Sequence, residues 1–342
     1  MGAGARLTPD GAAADVGVSV QIPLDLGGTA RHRRDREAAG VAEARAQLRW
    51  AELRVTTATR IAFAEAVAAE LRLGLAEEAV ALGLEIEQAA RRRYELGEVS
   101  ILQPNSAALD RAAAEARRST ARGELAETVQ GLQALLGLPA GDEPPLVRSE
   151  IPAWPTALTA DDDALAERAL AGRGDLAAAQ ERERAAAAEV RAARAAGVPA
   201  LSVGGGWERE GAEADIVGGG VVFEIPVQRN QIEVARAEGG SQRASLEAST
   251  TELQVGREVK ATLASWRTAE ERHRVTSGEA LMLAEANLRL VVRAYEAGEE
   301  DLLAVLMMQR QALAARETAI DAELGVHRAC AELEQALGEL VF

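Results

Sequence analysis

Apolar positions along this 342-residue chain follow two different periods. In three short runs they alternate with small or polar residues. Val16, Val18, Val20 and Ile22 oppose Gly17, Ser19 and Gln21. Leu201, Val203 and Trp207 oppose Ser202, Gly204, Gly206 and Glu208, while Val217, Val221, Phe223 and Ile225 oppose Gly218, Gly220 and Glu224. Period two predicts strands with one apolar face. Elsewhere the spacing is seven: Val41, Leu48 and Val55 with Ala44, Ala51 and Ala58, then Leu246 and Leu253, Val259 and Trp266, and finally Leu306, Leu313 and Ile320. That spacing predicts helices packed as coiled coils. The first long segment, 31–96, holds no proline and would make a helix roughly 100 Å long. Further helices are expected over 106–136, over 161–196 with a restart near Gly174-Asp175, from the second strand pair up to Tyr295, and over 302–340. About 250 residues, roughly seven in ten, are expected to be helical, against an ordinary third.

The chain is two copies of one unit. Gly17-Val18 and Ile22-Pro23 recur as Gly220-Val221 and Ile225-Pro226, an offset of 203. Tyr94-Glu95-Leu96-Gly97-Glu98 recurs as Tyr295-Glu296-Ala297-Gly298-Glu299, and Leu136-Gly137 as Leu337-Gly338, both at an offset of 201. The slip of two falls after the prolines, where 24–28 is answered by a shorter stretch. Each copy reads as strand, long helix, glycine turn, return helix. The boundaries that follow are 16–137 for the first repeat, 138–160 for a proline-rich connector and 161–342 for the second repeat.

Composition sharpens this reading. Hydrophobic residues make up 48% but aromatics only 3%. Alanine supplies much of the apolar count, and it packs helices closely while burying little area. The fold class expected is mainly α: long antiparallel coiled-coil helices in two tandem repeats, with a few β-strands. The net charge of −16, from 54 acidic and 38 basic residues, disfavours a nucleic-acid partner. The arginine-dense run Arg31, Arg33, Arg34 and Arg36 is short, is interrupted by Asp35, and reads as a solvated helix start. No apolar stretch is long enough for a transmembrane helix, but each alternating run approaches the ~9–11 residues of a tilted membrane-spanning strand. Apolar outside and small or polar inside is the pattern of a lipid-embedded barrel, with Trp207 and Phe223 suited to its interfacial girdle.

Strand, long helix, Tyr-Glu-x-Gly turn and return helix in tandem resemble the TolC-like outer membrane factors from Val16 onward. The stretch Phe223-Glu-Ile-Pro-Val-Gln-Arg-Asn-Gln-Ile-Glu-Val-Ala-Arg-Ala-Glu238 is similar to the strand exit of the CzcC-type heavy-metal efflux branch. Arg229, Asn230, Gln231, Ala235, Arg236 and Ala237 match that pattern; Ile232 replaces its glycine, and two residues before Arg229 are missing. Gly174-Asp175-Leu176 resembles the family's Arg-Pro-Asp-Leu helix start, with Gly174 for proline. The resemblance implies a homotrimer whose protomers share one outer-membrane β-barrel, embedded in outer-membrane lipid, with a periplasmic helical tunnel. It implies docking of a periplasmic adaptor (membrane fusion protein) and an inner-membrane resistance-nodulation-division pump at the tunnel tip. The function implied is a passive exit duct, heavy-metal cations being the cargo. The adaptor-docking tip maps onto Leu96, Gly97, Glu98, Ala297, Gly298 and Glu299. Glu98 and Glu299, with Glu300 and Asp301, would form acidic rings around a threefold axis, a cation-favouring arrangement that competes with ordinary solvated loop acids.

No phosphate loop, zinc signature or glycine-flanked serine occurs, so neither an enzyme nor a cofactor is expected. His327 and Cys330 are close enough on one helix to share a metal. But His327 continues the Leu306, Leu313, Ile320 stripe and His273 continues Val259 and Trp266, so both are read as packed, and no metal site is assigned. A soluble coiled-coil scaffold and a periplasmic adaptor are the alternatives; neither accounts for two strand motifs with an Ile-Pro exit in tandem. Only 15 residues precede the Val16 strand, so the first repeat is expected to lack its opening helix and strand, and with them the secretory signal. Three strands per protomer would then leave like-directed edges at each subunit contact, and the barrel could not close.

Overall fold

The computed structural model describes residues 2–6, 15–139, 161–210, 214–224 and 229–341. In chain order these form β1 (Gly2–Arg6), β2 (Asp15–Leu24), α1 (Thr29–Glu95), α2 (Leu102–Leu136), α3 (Asp162–Gly172), α4 (Gly174–Ala195), β3 (Ala200–Glu210), β4 (Ala214–Glu224), α5 (Arg229–Thr276), α6 (Glu279–Glu296) and α7 (Leu302–Leu337). The duplicated Ile225-Pro226 and most of the proline-rich connector lie outside the described residues. Two compact units emerge: Met1–Arg49 with Gly174–Gln254, and Trp50–Arg173 with Val255–Phe342.

In the first unit the strands form one antiparallel sheet, order β1-β2-β3-β4. Its register aligns Val18 with Trp207 and Trp207 with Val217, Ile22 with Val203 and Val203 with Val221, Leu24 with Leu201 and Leu201 with Phe223. Cross-strand partners share a face, so the alternating residues of three strands add up to one apolar surface. The sheet has four strands among the described residues, which corrects the expected three. Gly2-Ala-Gly-Ala-Arg6 carries no apolar alternation, so its only strand signal is backbone pairing, Gly2 with Ser19 through Arg6 with Asp15. With four antiparallel strands the edges β1 and β4 run in opposite directions. Directly after the sheet, both carboxylate oxygens of Asp25 accept the Thr29 and Ala30 amides, at 2.8 and 2.7 Å, and start α1.

Alanine forms the helix contacts. Ala64, Ala66, Ala68, Ala69 and Ala90 of α1 are each 0–2% exposed. One cluster joins Ala64, Val67 and Ala68 to Leu324 of α7. Leu306, His327 and Glu334 are buried at sevens, with Leu313 and Ile320 half-buried between them, as the α7 stripe predicts. The α1 stripe is different: Val41, Leu48 and Val55 are exposed, as are Leu246 and Leu253 of α5, and the buried positions are Ala39, Ala46 and Thr57. Within one chain the small side chains win the interior because they allow the shorter interhelical distance. Val259 and Trp266 are buried as expected.

The second long helix is not continuous; it breaks between Thr276 and Glu279. Ser277 gives both its amide and its hydroxyl to the His273 carbonyl, at 2.9 and 2.6 Å, and Gly278 leaves helical geometry at φ −94°, ψ −131°. Side-chain bonding to the preceding turn and a glycine break the helix without a proline. At the α3–α4 joint the Arg173 side chain, 5% exposed, lies over the Trp50 ring at 5.0 Å, pairs with Glu258 at 2.5 Å and donates to the Ala336 carbonyl at 3.3 Å. One guanidinium thereby ties α1, α5 and α7.

If alanine sets the interhelical distance, Ala68→Leu should lower the stability of the chain by ~1–3 kcal/mol through overpacking. Leu48→Ala, at an exposed position, should change it by less than ~0.5 kcal/mol in the isolated chain. Urea unfolding followed by circular dichroism measures both.

Candidate functional site

The two Tyr-Glu-x-Gly turns close two helical hairpins within the second unit, and the structure brings them to one place. Gly97 sits at φ +76° and Gly298 at φ +80°, in the left-handed region that reverses a helix without strain only for glycine. Each turn closes with the same bonds. Gly97 donates to Tyr94 and Glu98 to Arg93, at 2.9 and 3.0 Å; Gly298 donates to Tyr295 and Glu299 to Ala294, at 3.1 and 2.8 Å. The far ends repeat the device at Gly137 and Gly338.

The turns are sisters in backbone and differ in side chains. Tyr295 is 2% exposed and packs with Ile86, Ala90, Ala107, Leu302, Val305 and Leu306; its repeat mate Tyr94 is 43% exposed. Arg93 explains the difference. Its guanidinium lies 5.1 Å from the Tyr295 ring centroid and its Nε donates to Glu98 at 3.3 Å, so it links the first turn to the second hairpin. The second repeat has Ala294 at the matching position and can make no reciprocal contact. Sequence reasoning missed this link, although the Arg93/Ala294 mismatch inside an otherwise repeated motif is the signal that could have found it. Burial raises the Tyr295 phenol above its ordinary value, with the Arg93 charge opposing.

The expected tip residues are all exposed, Leu96 at 73%. The acids divide by task. Glu98 holds Arg93. Asp301 caps α7, its carboxylate accepting the Ala304 amide at 2.8 Å. Glu299 and Glu300 are exposed on the turn, with both their amides directed to the Ala294 carbonyl. Beside the turns, Leu102, Leu109, Leu303 and Leu306 line a 470 Å³ groove between α2 and α7. The Arg310–Asp110 ion pair, 3.0 Å, spans the same two helices. Leu102, Leu109 and Leu303 are 63–72% exposed, so the groove offers apolar surface to a partner.

In the first unit the sheet presents a second exposed apolar surface. Val18, Val20, Ile22, Val203, Val217, Val221 and Phe223 are 41–81% exposed on the face that the register aligns. No helix among the described residues is long and apolar enough to cross a membrane. His327 and Cys330 lie in the core of the second unit, 6% and 0% exposed, beside Trp266. Burial pushes the Cys330 thiol up to about 12, which leaves it a poor ligand and nucleophile at neutral pH. Burial, with some repulsion from His273, holds the His327 imidazole down to about 4.

A family model described as "Outer membrane efflux protein" matches residues 5–138 and 165–339. No curated protein matches the chain in sequence. Several solved structures share its fold. The outer-membrane channel OprN superposes with a TM-score of 0.83 at 21% identity, covering 98% of this chain and 79% of its own. The outer membrane protein VceC of Vibrio cholerae gives 0.81 at 22%, covering 99% and 85%. The Campylobacter jejuni CmeC outer membrane channel gives 0.82 at 16%, covering 100% and 77%.

A histidine that titrates at about 4 when folded and near 6.5 when unfolded contributes stability above pH 6.5 that is lost as pH falls toward 4. The loss should be on the order of 2–3 kcal/mol across that window. His327→Leu should flatten the stability profile between pH 6.5 and 5, above the range where carboxylates dominate; denaturation midpoints at half-unit steps of pH check this.

Proposed function

The chain belongs to the outer membrane efflux protein family, and we propose that it is the outer-membrane channel subunit of a tripartite efflux system, a passive duct whose cargo is heavy-metal cations. The observation that carries the duct reading is the sheet. An apolar face shared across the register and left exposed beside α1 and α5 suits lipid, and a soluble coiled-coil scaffold has no use for it. In this reading three copies pair β1 of one with β4 of the next, making one closed twelve-stranded barrel, since an open strand edge in hydrocarbon costs several kcal/mol per unsatisfied group. The exposed stripes Val41, Leu48 and Val55, and Leu246 and Leu253, become contacts between copies. Energy enters from an inner-membrane resistance-nodulation-division pump through a periplasmic adaptor. The adaptor's helical hairpin lies in the leucine-lined groove between α2 and α7 and reads Leu96, Gly97, Glu98, Ala297, Gly298 and Glu299. The metal cargo is supported by the α5 start, Arg229, Asn230, Gln231 and Ala235-Arg236-Ala237, and by the acidic turns. Glu299 and Glu300, free of capping duty, are the acids best placed to ring the exit path, with Glu98 and Asp301 behind them.

Export from cells lacking their own duct tests the assignment. Gly97→Pro or Gly298→Pro should impair export several-fold while trimers still form, because proline cannot occupy the left-handed turn. Normal export by both variants would remove the tip from the mechanism. The same cells should gain tolerance to zinc and cadmium and none to a neutral organic antibiotic; the reverse pattern would replace the cargo and leave the channel.

A further inference from the structure

Four arginines crowd the first turns of α1: Arg31, Arg33, Arg34 and Arg36. The helix begins at Thr29, five residues after the end of β2, so at about 1.5 Å per residue all four lie within roughly 10 Å of its start. Arg36 is engaged by Glu37 at 2.6 Å and by Glu189 of α4 at 3.8 Å. Arg31, Arg33 and Arg34 are exposed, and none of them has a carboxylate partner among the described residues. Asp35 faces His32 instead, 3.9 Å from its Nδ1, and Arg34 Nε donates to the Ala30 carbonyl at 3.4 Å. The helix start does not require these arginines. At the offset of 201 that relates the long helices of the two repeats, their positions correspond to Ile232, Val234, Ala235 and Ala237 of α5. One copy of the same entry is basic and the other apolar.

Between the arginines and the strands the surface is apolar. Leu24, 41% exposed, aligns through Leu201 with Phe223, 65% exposed, at the helical end of the sheet face. Leu26 and Val198 in the adjoining loops are exposed as well. A Cβ on Gly27 would come within 2.5 Å of the Ala195 carbonyl oxygen, so the loop from β2 to α1 is pressed onto the end of α4. That contact, with the Asp25 cap, fixes how far the arginines stand from the apolar rim.

We propose that the start of α1 is a binding surface for the headgroups of anionic phospholipids, in the leaflet on the helical side of the sheet, with Arg31 and Arg34 at its centre. The inference rests on the reading of the sheet as lipid-embedded, and it adds which lipid the rim selects. A headgroup layer is only ~5–7 Å thick on each side of a hydrocarbon core of ~30 Å, so an apolar band followed at once by unmatched cations has the profile of a membrane interface. A guanidinium holds a phosphate through two parallel hydrogen bonds, and the arginine stem can lie along apolar surface while its head reaches the interface. At about 100° per residue Arg31 and Arg34 share one flank of α1. Arg33 and Arg36 share the other, where they line a groove with α4 and α5. The overall charge of −16 opposes any approach to an anionic surface, so a preference for such lipids has to come from a local basic surface.

The test floats the full chain, diluted from detergent, with vesicles of phosphatidylcholine alone or of equal parts phosphatidylcholine and phosphatidylglycerol. The chain should associate with both. At low salt the mixed vesicles should half-saturate it at roughly tenfold lower lipid, since each arginine at an anionic surface contributes about fivefold in affinity. High salt should shrink that preference. Arg31→Gln with Arg34→Gln should bring the two half-saturation points to within about twofold and leave association with neutral vesicles unchanged. Arg45→Gln with Arg49→Gln removes the same charge from the same flank about four turns further along, and should leave the preference intact. Inorganic phosphate, balanced for ionic strength with chloride, should not compete; competition would make this a site for free phosphate and overturn the lipid assignment. Equal association of the unaltered chain with both vesicles, a preference that survives loss of Arg31 and Arg34, or one lost equally with Arg45 and Arg49, overturns the proposal. Failure to associate with either vesicle overturns the lipid-embedded sheet, and the proposal with it.

Discussion

Helix contact through buried alanines, packed against larger groups such as Leu324 and Tyr295, is the constraint from which the rest of this structure follows. A helix faced with Ala64, Ala66, Ala68, Ala69 and Ala90 can approach its neighbours closely, and close approach maximises dispersion contact per residue. It also buries little area, since each alanine removes only a methyl group from water. Two consequences are visible. Polar links do much of the specifying, as where Arg173 joins α1, α5 and α7, or where Arg60 pairs at 2.7 Å with the fully buried Glu334. And some large side chains that a globular protein would place inside, Leu48 and Leu246 among them, stand outside.

Those outward-facing groups make the single chain an incomplete object. Leu48, Leu246 and Leu253 are 59–70% exposed at helical spacing, and the sheet exposes Val217 and Phe223 at 81 and 65%. Patches this extensive mark surfaces that are covered in use. The helical stripes suit another copy of the chain, because their heptad spacing is that of a coiled-coil seam. The sheet face suits lipid from Val18 to Leu24, where every partner along the register is apolar or glycine, as where Val20 aligns with Gly205 and Gly205 with Gly219; beyond that span Val16 aligns with Arg209, which pairs with Asp215 at 2.8 Å.

Duplication gives the two hairpins the same backbone, and divergence gives them different work. The two glycine turns share their closing bonds, yet Tyr295 is sealed under Arg93 while Tyr94 faces solvent. The second long helix is broken at Ser277 and Gly278, whereas α1 runs unbroken to Glu95. One hairpin is therefore carried on a continuous rod and the other on a jointed one, so a disturbance at the turns meets different stiffness in each.

The sequence determined the repeat, the element order and the turns, because these depend on local rules. Glycine at 97 and 298 is demanded by a positive φ, alternation from Val18 to Ile22 by the pleat, and the α7 stripe through His327 by helical period. The family resemblance, read from strand, long helix, Tyr-Glu-x-Gly turn and return helix in tandem, was equally legible at that level. Other features were decided only in three dimensions. Sevenfold spacing says that Val41, Leu48 and Val55 share a face, but not whether that face meets its own chain or another, and the alanines on the opposite side claimed the interior. A five-residue strand without apolar side chains is set by backbone pairing with a distant segment, so Gly2–Arg6 carried no signal of its own. The Arg93–Tyr295 link needs residues more than 200 positions apart to meet, and nothing in a linear pattern specifies the distance between them.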